Sequence, residues 1–343
     1  MTRCVSVDVG TGYISSAEKG EEENKVVFRK VRDCFFKVDP SEFLGGANPM
    51  FGEKMLKRTG AHFIKVNGTL YILGDSAYKM AGTMHKEPLR PMAKGVLNPQ
   101  EPESAVMVGE LIKAVAGEAE GEDDILFFCV PANPVDADYD VDYHESTLKD
   151  VFGKLGYKNI NVMNEGLAVV FSELSDENFT GLGISCGAGM INICYAFMGM
   201  PILSFSISKG GDYIDQSAAK QVNDTANTIC HHKEKDMNIQ DPKNEYEKAI
   251  AVYYSSLLKY LVAQIKHLYL SKDKKELPNL FEPIPIVVAG GTSLIGGFIP
   301  TLKEIIDAEK DFPIPISEIR HAEEPLYAVA HGLFHAAKMN VEE

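Results

Sequence analysis

The sequence has few cysteines and no pairing pattern among them. Cys4, Cys34, Cys129, Cys186, Cys194 and Cys230 include no CxxC spacing. Cys4, Cys129 and Cys194 sit inside apolar runs, where a free thiol behaves as a small core residue. This excludes a disulfide framework and points to a reducing compartment. Long apolar runs are also missing: no segment approaches the ~18 residues of a membrane-spanning helix. The start of the chain has no signal-peptide pattern and enters a strand, VSVDVG, almost at once. The expected location is cytoplasmic, and membrane attachment is unsupported. Basic charge is scarce as well, with 34 Lys and Arg against 49 Asp and Glu and a formal net charge of −15. Nucleic acid or an anionic membrane would need a basic face. The basic residues between 29 and 32 and between 54 and 58 are too sparse for one and read as solvated surface. No nucleic-acid partner is expected. Finally, there is no GxxxxGK[ST] and no GxGxxG leading from a strand into a helix, so neither of the common phosphate-binding fingerprints is present.

What the chain does have is an ordinary globular balance over 343 residues, 45% hydrophobic and 24% charged. That length suits two domains or one large one, with a core that needs no staples. The reading is α/β with mixed sheets. Residues 3–9 form a short buried strand ended by Gly10-Thr11-Gly12, and 13–17 and 25–32 continue a meander. Residues 32–98 are mixed and read as an inserted subdomain. Helix 101–116, strand 124–130, helix 144–155, strand 159–163 and helix 165–174 follow. Then the opening pattern recurs: strand 181–186, the turn Gly187-Ala188-Gly189, and strands 191–197 and 202–208. A second meander with a glycine turn after its first strand suggests internal duplication. Helices are expected at 212–229, 244–271, 298–308 and 325–338, with a last buried strand at 283–291.

Three glycine turns can carry chemistry. In Asp8-Val9-Gly10-Thr11-Gly12, the glycines allow close backbone approach to a ligand, and successive N–H groups make an anion nest. An Asp ending the strand suits a hydrated Mg²⁺. Ser185-Cys186-Gly187-Ala188-Gly189 repeats the shape. Ala289-Gly290-Gly291-Thr292-Ser293 runs from a buried strand into Gly-Gly and then a helix, which suits close approach to a base or ribose. Each turn alone is equally an ordinary hairpin or strand-to-helix turn. The adjacent pair His231-His232 points in two directions on a helix and reads as surface rather than as a metal site.

The order of these motifs resembles the actin-like ATPase superfamily, in particular the prokaryotic actins MreB and MamK. Asp8–Gly12 is similar to the first phosphate loop. Asn164-Glu165-Gly166-Leu167-Ala168 is similar to the first connecting helix with its acidic catalytic residue, and Gly187-Ala188-Gly189 to the second phosphate loop. Gly210-Gly211-Asp212 resembles the helix start that follows that loop. Gly290-Gly291-Thr292 resembles the adenosine loop. Residues 324–332 resemble the second connecting helix, and Leu89-Arg90-Pro91-Met92-Ala93-Lys94-Gly95-Val96 a stretch typical of MreB. Lys233-Glu234 is similar to a pair that touches adenosine, although a solvated helix end also accounts for it.

The resemblance implies an actin-like fold of two lobes, each built on a duplicated ribonuclease-H-like mixed sheet with smaller inserted subdomains. Residues 1–163 and 322–343 would form lobe I (insertion about 32–98), and 164–321 lobe II (insertion about 209–244). It further implies ATP or ADP with Mg²⁺ held between the lobes. The metal would be held by Asp8 through water, Glu165 would position the attacking water, and the chain would assemble with itself into head-to-tail filaments. Ser185 departs from the family's pattern, which has Asp just before the second phosphate loop, so hydrolysis is expected to be slow. Three other readings share the fold: a small-molecule kinase using Asp212 or Asp215 as acceptor-activating acid, a nucleotide-dependent chaperone like the seventy-kilodalton heat-shock family, and a non-hydrolysing nucleotide-binding scaffold.

Overall fold

The structure is a computed structural model that describes residues 2–20, 22, 25–38, 49–278 and 282–341. Part of the expected insertion, residues 39–48, lies outside the described residues.

Strand β1 (Cys4–Val9) shows how the site is positioned. Side chains alternate across a strand. Val5, Val7 and Val9 therefore join an outer core under helices, whereas Cys4 joins an inner core between the lobes. Ser6 and Asp8 share the register of Cys4. Ser6 is buried there; its hydroxyl donates to the carbonyl of Ala330 (2.6 Å) and lies 3.1 Å from that of Ala17. Period-two alternation alone thus delivers Asp8 to the space between the lobes.

β1 pairs antiparallel with β2 (Tyr13–Lys19), which pairs with β3 (Val26–Arg32). The insertion that follows contains β4 (Phe35–Val38), α1 (Pro49–Thr59), β5 (Phe63–Val66), β6 (Thr69–Leu73), α2 (Gly74–Thr83) and the short strands β7 (Met92–Ala93) and β8 (Val96–Leu97). It has a small core of its own, with Cys34, Phe36, Val38, Leu70, Ile72, Ala77 and Ala81. Next come α3 (Ser104–Ala116), β9 (Ile125–Val130), α4 (Asp142–Lys154), β10 (Asn159–Asn164) and α5 (Glu165–Glu173). The first sheet runs β10-β9-β1-β2-β3, with β9 and β10 parallel to β1.

The second half repeats this plan. β11 (Gly181–Cys186), β12 (Ile191–Phe197) and β13 (Met200–Ile207) form the meander, and β14 (Ile284–Ala289) and β15 (Ile316–His321) are the parallel additions. Its order, β13-β12-β11-β14-β15, is the first sheet's order with each strand replaced by its counterpart. The fold is therefore duplicated, and Ser185 occupies in β11 the place that Asp8 has in β1.

The remaining helices are α6 (Gly211–Val222), α7 (Ala226–Lys233), α8 (Glu245–Ser271), α9 (Phe298–Ala308) and α10 (Ala328–Val341). The sequence pattern suggested one helix over 212–229. Instead Asn223 turns left-handed at φ 56°, and Thr225 caps a new helix by accepting the Thr228 N–H. The apolar side chains of α6 and α7, Ile214, Ala218, Ala219 and Ile229, belong to the same core as the second sheet.

Helices α5 and α10 cross between the two sheets at small residues. A Cβ on Gly332 would stand 1.8 Å from the Ala168 carbonyl oxygen. On its other side α5 lies against the second sheet, where a Cβ on Gly166 would stand 2.7 Å from the Cys194 nitrogen. Only glycine lets the backbones approach this closely.

Candidate functional site

The two glycine turns close in the same way. The Gly10 N–H donates to the Tyr13 carbonyl at 3.1 Å, and the Gly187 N–H donates to the Met190 carbonyl at 2.9 Å. They face each other: a Cβ on Gly12 would lie 3.0 Å from Ala188 Cβ, and one on Gly189 only 2.3 Å from Thr11 Oγ1. Thr11 Oγ1 also accepts the Gly95 N–H at 3.0 Å. The carbonyl side of the second turn is fully engaged. Gly187 O accepts from Gly211 N–H (3.1 Å) and from the Thr292 hydroxyl (2.8 Å), and Ala188 O accepts from Asp212 N–H (2.8 Å). The amide side is not: among the described residues nothing accepts the N–H groups of Thr11, Gly12 or Ala188. These three residues line a cleft of about 360 Å³ between the lobes, a size that suits a small molecule. Main-chain donors turned into a cavity without acceptors form a site for an anion.

The floor of the cleft is acidic. Glu165 is buried in the first turn of α5, whose cap Asn164 accepts the Gly166 N–H at 3.0 Å. The Ser185 hydroxyl donates to Glu165 Oε2 at 3.2 Å, and the Cys129 thiol donates to Asp8 Oδ1 at 3.2 Å. Burial pushes both carboxyls above the ordinary carboxylate range, and the charge of Asp8 pushes Glu165 further.

Most of the other charges in the cleft are paired. Arg90 Nη2 lies 3.7 Å from Asp212 Oδ1 while its Nη1 donates to the Thr11 carbonyl at 3.1 Å. The charge of Asp212 raises the affinity of Arg90 for its proton. Lys233 Nζ lies 2.8 Å from Asp215 Oδ1 and donates to Gly211 O at 3.1 Å, and Arg32 Nη2 meets Glu234 Oε1 at 2.9 Å. Burial raises Asp215 to about 6 despite Lys233. Subtracting these pairs leaves the carboxyls of Asp8 and Glu165 without a cationic partner among the described residues, beside amides that favour an anion. Asp33 is a further buried carboxyl in the lining, and burial pushes it well up. A cation between an anionic ligand and Asp8 would satisfy both sides.

The sequence-predicted residues converge. Asp8, Gly10, Thr11, Gly12, Glu165, Gly187, Ala188, Gly211, Asp212, Lys233, Glu234, Gly290, Gly291 and Thr292 all line the one cleft. Gly189 packs against Thr11 and Gly95 of the facing side, and Gly210 backs the second turn, a Cβ on it falling 2.5 Å from Ala188 O. Gly290, at φ +90°, crosses 2.3 Å from Cys186 O by the same measure. The helix expected straight after it is a short 3₁₀ turn, Gly291–Leu294. Lys233 and Glu234 are engaged with Asp215 and Arg32. Both acids offered as a kinase base, Asp212 and Asp215, are held by cations. Sequence reasoning missed Arg32, Asp33 and Tyr78 in the lining. Arg90 lay within a quoted motif without a role.

The sequence matches the Volactin family over residues 3–337. The chain belongs to the Volactin family. No curated protein matches the chain in sequence. Among solved structures it is similar to the MamK double helical filament, at 17% identity and TM-score 0.71 over 98% of this chain and 99% of that one. It is also similar to MreB5 of Spiroplasma citri bound to ADP, at 15% identity and TM-score 0.69 over 100% and 99%. A third is the ethanolamine utilization protein EutJ from Carboxydothermus hydrogenoformans, at 14% identity and TM-score 0.55 over 98% and 90%. At these identities the likeness establishes the fold: the chain has the prokaryotic actin-like fold.

Proposed function

We propose that the cleft binds ATP or ADP with Mg²⁺, and that the protein is a cytoplasmic, actin-like cytoskeletal element. The observation that carries the reading is the pair of facing hairpin turns with unpaired amides above an acidic floor. The amides of Thr11, Gly12 and Ala188 would take phosphate oxygens, and Asp8 would hold the hydrated metal, which neutralises phosphate charge when bound. Glu165, at the helix start, would align water against the terminal phosphate. Ser185 contributes a hydrogen bond to Glu165 where a second acid would add charge at the metal, so we expect slow turnover. The similar structures support a nucleotide ligand: one MreB5 structure is described as bound to ADP and another as bound to AMPPNP. A similar MamK structure is described as a double helical filament, which supports head-to-tail self-assembly here. Fold alone does not fix assembly. Pelleting and negative-stain microscopy with and without ATP and Mg²⁺ test it. Filaments that depend on nucleotide are expected; none over a wide range of protein and salt concentration would refute assembly while leaving the nucleotide site standing.

A further inference from the structure

The lobes also touch away from the facing turns and the α5–α10 crossing. Arg32, the last residue of β3, spans the cleft to Glu234, just past α7, with Nη2 at 2.9 Å from Oε1 and 3.2 Å from Oε2. Its guanidinium is held on its own side. It stacks over the rings of Tyr78 (4.1 Å) and Tyr13 (4.8 Å), and its Nε lies 3.6 Å from Asp75 Oδ1. Arg32 is therefore preorganised, and only the Glu234 half of the contact is free to part. Two weaker ties run beside it. Glu87 Oε1 accepts the Asn227 N–H at 3.2 Å, capping α7 from the other lobe, and Arg90 reaches Asp212 at 3.7 Å. None of these residues belongs to α5 or α10. Arg32, Tyr78, Glu234, Arg90 and Asp212 also line the cleft itself.

We infer that Arg32 and Glu234 form a clasp over the mouth of the cleft, which must open for ligand to enter or leave. The clasp sets the exchange rate of the site rather than its affinity. One arm of its test rests on the nucleotide reading above, and the other does not. A gate slows entry and exit alike, because it closes over the empty and the occupied cleft. A contact residue slows exit only. Arg32 is mostly covered and Glu234 partly exposed, so this contact opposes opening with one screened ion pair, beside the two weaker ties.

The experiment is stopped-flow binding of a fluorescent methylanthraniloyl ATP with Mg²⁺ to the wild type and Arg32→Gln. The variant should raise the association and dissociation rate constants together, by about five-fold, leaving Kd within about two-fold. A rise in dissociation alone, or unchanged rates, would overturn the gate. A wild type that binds no nucleotide refutes the nucleotide reading instead, and the second arm then decides. Cys230 lines the cleft with its Sγ 3.8 Å from Glu234 Oε1. Its reaction with a thiol reagent, read against Cys230→Ser, reports opening without ligand. Removing the Arg32 cation would slow thiolate attack by electrostatics alone. The gate requires Arg32→Gln to react several-fold faster, with the wild type approaching that rate at high salt. Equal or slower reaction overturns the clasp.

Discussion

Gly332→Ala separates two opposed effects at the crossing of the lobes. On helix propensity alone, replacing a glycine inside α10 should stabilise the protein by about 1 kcal/mol. The geometry predicts the reverse. The new Cβ would sit 1.8 Å from Ala168 O, 2.6 Å from Ala168 C and 3.0 Å from Ser172 N. All three are helix backbone, so no side chain can rotate away. Reaching a tolerable contact requires α5 and α10 to part by at least about 1.2 Å. Overpacking on this scale costs about 3 kcal/mol. With an unfolding entropy near 2.1 cal/mol/K per residue, a 343-residue chain melting as a unit would lose about 4 °C. Gly153→Ala is the control: it lies near the end of α4 with nothing among the described residues within 4 Å of its added Cβ, and should gain a few tenths to about 1 kcal/mol. Calorimetry and urea unfolding of both variants give the answer. A Gly332→Ala protein as stable as the wild type, or more stable, would refute the close crossing of the helices.

Three further outcomes follow from the same structure. His144 is buried, accepts the Leu97 N–H at Nδ1 (3.3 Å), and burial lowers its pKa to about 4. Below the unfolded pKa of about 6.5 only the unfolded chain takes up the proton. Stability should therefore fall by up to about 3 kcal/mol from this group as pH drops from about 6.5 to about 4. Urea titrations should show that slope, and His144→Gln should remove it. Gly189→Val would drive a side chain into Thr11 and Gly95 and force the two turns apart. Calorimetric titration should show at least about ten-fold weaker nucleotide binding. Ser185→Asp would place a third carboxyl beside Glu165 and Asp8. Phosphate release should speed up with Mg²⁺ present, while the cation-free protein loses stability; unchanged or slower release would contradict the role given to Ser185.

Much of the fold was legible because the strands follow simple rules. Alternation and glycine turns gave both meanders, and their repetition showed the duplication that the sheet orders display. What escaped has physical reasons. Strand β15, ISEIRH, is a half-exposed edge strand with too little apolar alternation to stand out. The break between α6 and α7 depends on a left-handed asparagine rather than on glycine or proline. At the site, backbone turns carry a local signature, so Gly10–Gly12 and Gly187–Gly189 could be read directly. The clasp and the Arg90–Asp212 tie could not, since 202 residues separate Arg32 from Glu234 and nothing local marks either as a partner.

The central claim is that the two facing turns bind a nucleotide's phosphates above a metal-holding acid. Isothermal titration of ATP into the protein with Mg²⁺, repeated with Asp8→Asn and Gly189→Val, tests it most directly. A single saturable site per chain is predicted, weakened strongly by either substitution. Absence of saturable binding to the folded wild type up to about 1 mM ATP, or binding indifferent to both substitutions, would contradict it.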